Sequence, residues 1–525
     1  MHYNNNAALI KRELLISIIK LMLEDRLEEG IDRIPYEMTR VPNYQPVRCC
    51  VHHDREILKS RILARLGFSV EQYIDDGTPL SVYAREALAR EQISAPILTV
   101  LDEACNACVK TQFMVTNACQ GCLARPCMMN CPKKAVSMVD GHAVIDKEKC
   151  VNCGICQQVC PYHAIIKIPV PCEEACPVGA ISKDANGKER IDYDKCIFCG
   201  NCMRECPFGA MMDKSQIIDV LAAKKRGKKL AALFAPAVAG QFKAPLGKLV
   251  SALEKAGFDA VYEVALGADI TAEKEAHEFA ERMEHGEPFM TTSCCPAYVE
   301  AVRKHLPALK RRVSDTRSPM HYTASLAAQE KPDHLRVFIG PCLAKRKEGL
   351  DDPLVDYVLS VEEIGALFVA MGIDVAEMED KSLPQEALAG GRSFAWSGGV
   401  STAVQAYLPA HIPFKPEVID GLTRESFKVL KSWSEGKNTG NLLEVMACMG
   451  GCVAGPSTIT NPKVATMQLR KIAETSKKAE PAASSAAAAA LAGAHTSAEA
   501  PATAPTSDPA TTSAQTSTHS PVGAV

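Results

Sequence analysis

At 525 residues, with 47% hydrophobic but only 5% aromatic side chains, the chain is long enough for two or three domains whose cores rest on large aliphatics. A net charge of −3 gives no electrostatic reason to expect nucleic acid. The longest apolar stretches fall short of the roughly 20 residues a membrane span needs. The 23 cysteines carry metal-ligand spacing without a legible secretory signal, so a reducing cytoplasm is expected.

Residues 7 to about 95 read as helical, with Ile10, Leu14, Leu15, Ile18 and Leu21 at three- and four-residue steps and a second helix over Asp54 to Leu66. The Leu14 to Leu23 segment has charged flanks and reads as an amphipathic surface helix. Between the helices sit Cys49, Cys50, His52 and His53, two adjacent pairs too cramped to close around one tetrahedral ion. They are expected to be structural or incidental.

From Cys105 to Cys206 the character changes, because sixteen cysteines fall in this stretch. Cys150, Cys153, Cys156 and Cys160, and again Cys196, Cys199, Cys202 and Cys206, have the bacterial ferredoxin spacing, in which the fourth cysteine serves the neighbouring cluster. Crossing the first run with Cys119, Cys122, Cys127 and Cys131 gives two [4Fe–4S] sites: Cys119, Cys122, Cys127 with Cys160, and Cys150, Cys153, Cys156 with Cys131. The second run then requires a half interrupted by a long insertion. Its sites would be Cys105, Cys108, Cys172 with Cys206, and Cys196, Cys199, Cys202 with Cys176. Four clusters use all sixteen thiols, in one ferredoxin module nested inside another; two or three clusters with some free thiols is the alternative. The tails after Cys131, Cys160, Cys176 and Cys206, each a proline followed three residues on by alanine, are four versions of one unit.

The basic run Lys224 to Lys229 reads as a solvated linker. Beyond it, strands are expected at Leu230 to Ala235, Ala260 to Leu266, Arg336 to Ile339, Phe394 to Trp396 and Leu442 to Met446. Helices are expected at Pro245 to Lys255, Thr271 to Glu284, Tyr298 to Leu309, Val361 to Met371, Thr402 to Leu408 and Thr423 to Ser434. This alternation implies α/β layers around a mainly parallel sheet, with ligands at strand C-terminal ends. From Glu480 the chain is almost entirely Ala, Ser, Thr, Pro and Gly with three acids, and disorder is expected. The expected architecture is thus an α+β multidomain chain: a helical region at 1–100, a ferredoxin-like region at 101–215, an α/β domain at 226–476 and a disordered tail at 477–525.

Thr292-Ser-Cys-Cys-Pro-Ala-Tyr298 places two adjacent thiols after the apolar run Pro288 to Met290, the end of a buried strand. Successive side chains on extended backbone point opposite ways, so Cys295 can bind a metal while Cys294 faces something else. Cys342 follows in Gly340-Pro-Cys-Leu-Ala-Lys345. Cys448 and Cys452 stand four apart around Gly450 and Gly451, a spacing that would put them on one helix face. Cys295, Cys342, Cys448 and Cys452 make a four-thiolate set for one cubane.

In order and spacing these three segments, within residues 229 to 475, resemble the signature loops of the [FeFe]-hydrogenases, and more closely the branch called group B. The resemblance implies 2H⁺ + 2e⁻ ⇌ H₂ at a [4Fe–4S] cluster joined through Cys452 to a two-iron unit bearing CO, cyanide and a dithiolate bridge. It implies Cys294 as the proton-carrying thiol, with Glu275, Ser314 and Glu278 continuing the path. His277 beside that path reads as a surface residue. Lys345 would donate to one cyanide, Ala235, Pro236 and Ala237 would hold the other, and Met446 would pack on the two-iron unit. Met320 and Gly340 depart from the family's glutamine and methionine, Tyr298 from its tryptophan. Expected partners are H₂, protons, a soluble ferredoxin or similar carrier, and maturation proteins. Two other readings are a hydrogen sensor and an iron–sulfur assembly protein lacking the two-iron unit.

Overall fold

Leu230 to Phe234 and Val337 to Gly340 are apolar runs buried on both faces, the pattern of inner parallel strands. In the computed structural model, which describes residues 5–73 and 77–479, they form the centre of a four-stranded parallel sheet. Its order is Ala260–Glu263, Lys229–Phe234, His334–Gly340, Tyr357–Ser360. A second parallel sheet sets Leu442–Met446 between Met290–Thr291 and Pro416–Asp420. Four of these strands, ending at Phe234, Thr291, Gly340 and Met446, run directly into the segments that carry the late cysteines or Ala235 to Ala237.

Several elements differ from expectation. Phe394 to Trp396 is no strand: it follows the short helix Ala389–Ser393 and turns back, Trp396 N–H donating to the Ser393 carbonyl. A Cβ on Gly399 would lie 1.8 Å from the Ser393 carbonyl oxygen, so only glycine permits that turn. The strand expected through Leu266 stops at Glu263, and the following helix spans Ala265–Glu284. Gly267 sits inside that helix because its bare Cα lets the Pro319 carbonyl approach. Cys448 and Cys452 do not share a helix: Gly450 and Gly451 take φ of +92° and +88°, so the chain bends at Cys448 and makes one 3₁₀ turn, Cys452–Ala454. Two strands, Tyr357–Ser360 and Pro416–Asp420, and the helices Pro319–Glu330, Ala344–Asp351 and Pro462–Glu474 were not legible as such.

The basic run is no free linker. Lys224 and Lys225 end the helix Ile217–Lys225, Lys229 opens a strand, and Lys224 and Lys229 pair with Asp259 and Asp333 at 2.7 Å. The N-terminal helix Asn6–Leu23 buries Leu14, Leu15, Ile18 and Ile19 completely in the core that also holds Ile217, Phe234 and Leu367. No helix among the described residues is long and apolar enough to cross a membrane. The segment from 480, with its expected disorder, lies outside the described residues.

In the cysteine-rich region two antiparallel pairs enclose one another. Leu98–Val100 pairs with Met211–Asp213, and inside that span Gln112–Val115 pairs with Ile165–Ile168. Each closing pair brackets one hairpin, Ile181–Lys183 with Glu189–Ile191 in the outer module and Val136–Val139 with His142–Ile145 in the inner. The inner module has its own small core of Phe113, Cys127, Val136, Ala143, Cys156 and Ile165.

Candidate active site and cluster sites

The strand ends converge on a cavity of about 90 Å³. Ala235, Pro236 and Ala237 line it from one strand, Cys294 and Cys295 from another, Cys342 and Lys345 from a third, and Met446, Cys448 and Cys452 from the fourth. Cys295 stands at the N-terminus of helix Pro296–His305, and Tyr298 in its first turn is buried, its hydroxyl 2.9 Å from Thr291 Oγ1. Phe338 and Met320 close the cavity. A Cβ on Gly340 would lie 2.7 Å from the Phe338 ring, so Phe338 occupies the room a larger side chain at 340 would need.

Burial pushes every thiol here upward: Cys342 to about 11, Cys452 to about 12, Cys295 above its ordinary value and Cys448 well above it. Thiols packed in apolar surroundings become thiolates only beside strong positive charge, which is what an iron–sulfur core supplies. No group of three or more His, Cys, Asp or Glu among the described residues is arranged for a single metal ion. All four thiols line this one apolar cavity, a donor set whose chemistry suits a [4Fe–4S] cubane.

Gly451 controls this loop. A Cβ there would meet Trp396 Cα at 2.6 Å and Ser397 N at 2.7 Å, on backbone that cannot yield cheaply. Gly451→Ala is expected to displace Cys452 and to lower bound iron by about four atoms per chain, the content of one cubane. Iron quantitation checks this, and wild-type iron would contradict it.

Cys294 is not placed like its neighbour. Burial raises its thiol well above the ordinary value, and Glu275 is the carboxylate acting on it most strongly. Glu275, fully buried, accepts from Ser293 N–H at 3.1 Å and Ser293 Oγ at 3.2 Å, while its second oxygen has no hydrogen-bond partner among the described residues. Burial, with Glu278 nearby, lifts Glu275 from 4.5 to about 7. Ser314 acts on Glu275 and donates to Glu278 at 2.6 Å; Glu278 also accepts from Asp315 N–H and Thr316 Oγ1 and pairs with Arg282 at 2.6 Å. Cys294 lines the cavity, Glu275 and Ser314 are buried, Glu278 is half-buried and His277 is exposed.

The raised Glu275 value has a stability consequence. Its protonated form is favoured in the fold, so stability is fully present below about pH 4.5 and is lost as pH rises through about 7. Glu275→Gln is expected to gain on wild type across that window, by about 3 kcal/mol at pH 8 and nothing at pH 4. Denaturant melts at the two pH values check it, and a pH-independent difference would contradict it.

Lys345 is buried, its Nζ 2.9 Å from Ser318 Oγ and 2.7 Å from Glu348. Burial is the strongest single influence and pulls its pKa down, but Glu348, Cys342 and Cys294 together hold it above its ordinary value. Ser293, Ser318, Glu348 and Glu444 were missed in the sequence. Lys345 and Glu348 are i,i+3 neighbours, a usable signal; Glu444, which accepts from Gly398 N–H and Ser401 N–H, left none.

Cys122 and Cys160 act on Cys127; Cys150, Cys153 and Cys131 act on Cys156 and, with it, line one small cavity. Cys105 and Cys206 act on Cys108, Cys206 and Cys108 act on Cys172, and Cys199, Cys196, Cys176 and Cys172 all act on Cys202. Cys49 and Cys50 stand apart on the surface, sulfurs 3.9 Å from each other, with Cys49 3.4 Å from His53 Nδ1.

The C-terminal domain of the iron-only hydrogenase large subunit matches residues 228–456, and the 4Fe-4S binding domain matches 143–166 and 189–212. The periplasmic [Fe] hydrogenase large subunit of Nitratidesulfovibrio vulgaris is 30% identical over 379 residues, 61% of this chain and 87% of that protein. The chain belongs to the [FeFe]-hydrogenase family. Iron hydrogenase 1 of Clostridium pasteurianum is 28% identical over 268 residues, 41% of this chain and 46% of that enzyme, so this match spans about half of that relative's length. The cytosolic Fe-S cluster assembly factor NAR1 of Meyerozyma guilliermondii is 28% identical over 236 residues, 39% of this chain and 42% of that protein. A solved [FeFe]-hydrogenase of Chlamydomonas reinhardtii, 21% identical, covers 51% of this chain and 90% of its own at a TM-score of 0.42. This family member therefore couples ferredoxin-like iron–sulfur modules to an α/β hydrogenase domain.

Proposed function

We propose that this [FeFe]-hydrogenase family member interconverts protons, electrons and H₂. Cys295, Cys342, Cys448 and Cys452 would hold a cubane, and the adjoining cavity a two-iron unit with CO, cyanide and a dithiolate bridge. That unit, when bound, supplies the chemistry of making and breaking H–H. The chain's residues do the rest. Lys345, fixed by Ser318 and Glu348, would offer a buried ammonium to a cyanide nitrogen. Ala235, Pro236 and Ala237 would hold the opposite side, and Met446 would exclude water. Cys294 would give and recover protons at the cavity wall, exchanging with Glu275 and then, through Ser314, with Glu278. The accessory clusters would carry electrons from a soluble carrier.

The observation that carries this reading is a thiol beside a four-thiol set, backed by a carboxylate raised to about 7. The likeness to NAR1 favours a second reading, an assembly protein that binds cubanes without turnover. Hydrogen–deuterium exchange into D₂ gas by the matured protein, followed by mass spectrometry, separates the two. Formation of HD supports hydrogenase activity; a full complement of iron with no exchange overturns it.

A further inference from the structure

The N-terminal helices bury two cations that no carboxylate pairs with directly among the described residues, although Glu362 and Asp213 act on Lys11 and Asp54 on Arg61 without forming an ion pair. Arg61, in helix Val51–Arg65, is 6% exposed; one Nη donates to the Phe208 carbonyl at 3.0 Å, while its Nε and the other Nη are buried with no partner among the described residues. Lys11, in helix Asn6–Leu23, is 8% exposed. Among the described residues neither forms an ion pair, whereas neighbouring Arg65 pairs with Asp213 at 3.1 Å. Both reach the same turn: a Cβ on Gly209 would lie 3.3 Å from Arg61 Nη2 and 3.6 Å from Lys11 Cε. That turn follows Cys206. Burial and Arg65 pull Arg61 down to about 10, so it stays charged at neutral pH, and the Cys206 sulfur is the strongest anionic influence on it. Leaving a guanidinium buried with two of its nitrogens unsatisfied is costly unless an anion sits beside it.

From this geometry we propose that Arg61, aided by Lys11, balances the charge of the iron–sulfur cluster held by Cys105, Cys108, Cys172 and Cys206. The inference rests on the cluster assignment above. A cubane with four thiolates is an anion that gains a further negative charge on reduction, and cations near it favour the reduced form. Burial keeps salt from screening them. Lys183, near Cys108, contributes less because Glu189 neutralises it. The N-terminal helical region thereby sets the potential of one link in the electron chain, and Arg61 is a positioning residue for charge, not a catalytic one.

The test is a redox titration of the anaerobically reconstituted full chain, followed by electron paramagnetic resonance, with the relevant signal assigned by its loss in Cys172→Ala. In Arg61→Gln that signal alone is expected to move to more negative potential, by roughly tenfold in the reduced-to-oxidised ratio, about 59 mV for one electron. Arg61→Lys is expected to stay near wild type, and Lys11→Met to move the same signal in the same direction. Unchanged midpoints in Arg61→Gln and Lys11→Met, or a Lys variant that behaves like the Gln one, would overturn the inference. A wild-type chain with too little iron for a cluster at these cysteines would overturn the assignment and the inference together, so the two failures are distinguishable.

Discussion

Replacing Cys294 by Ala is expected to lower H₂ turnover by about 10²–10⁴-fold while leaving bound iron unchanged. The expectation follows from the division of labour between adjacent sulfurs. Cys295 opens the helix Pro296–His305 and lines the cavity with the three late thiols. Cys294 lines the same cavity, with Glu275 as its strongest anionic neighbour. An alanine fits the space of a thiol, so packing is kept and the proton step is lost. Evolution of H₂ from a chemical reductant, measured beside iron content, checks this. Wild-type turnover would show that protons reach the cavity by another route, and loss of iron would show that Cys294 is a ligand.

The largest stability effect is expected at Arg346. Its guanidinium, 2% exposed, pairs with Asp213 at 3.1 Å and with Glu363, and donates to the Lys214 carbonyl at 2.9 Å. Asp213 closes the outer ferredoxin module and also meets Arg65 of the N-terminal helices; Glu363 belongs to helix Val361–Ala370 of the hydrogenase domain. Three regions therefore share one buried ion network. Arg346→Leu leaves two carboxylates buried with too little positive charge, and a cost of about 3–5 kcal/mol is expected. Chemical denaturation at neutral pH measures it. A loss below about 1 kcal/mol would mean that water or a shift of Arg65 replaces the lost cation.

The 4Fe-4S binding modules were legible in the sequence because ligand spacing is a local property. Runs such as Cys150 to Cys160 fix a loop geometry whatever surrounds them, and the nested pairing of strands fits the split of Cys105 and Cys108 from Cys172. The inner strands were legible for a similar reason, since Leu230 to Phe234 is apolar throughout. What failed was tertiary in origin. Phe394 to Trp396 is apolar because it is buried against a glycine turn, and burial alone does not distinguish turn from strand. Four-residue spacing put Cys448 and Cys452 on a helix, yet the two glycines between them take the left-handed conformation instead. Pro416–Asp420 lies at a sheet edge, where Val418 is exposed and Glu417 half-buried, so hydrophobicity does not follow its in–out alternation and the pattern is too weak to read. Arg61, Arg346 and Glu444 gain their meaning from partners more than 40 residues away, Phe208, Asp213 and Ser401.

The central claim is tested most directly by infrared spectroscopy of the anaerobically matured protein in the region of metal-bound CO and cyanide. The account predicts both sets of bands, with the cyanide bands shifted in Lys345→Met. Complete cubane iron with no such bands would contradict it.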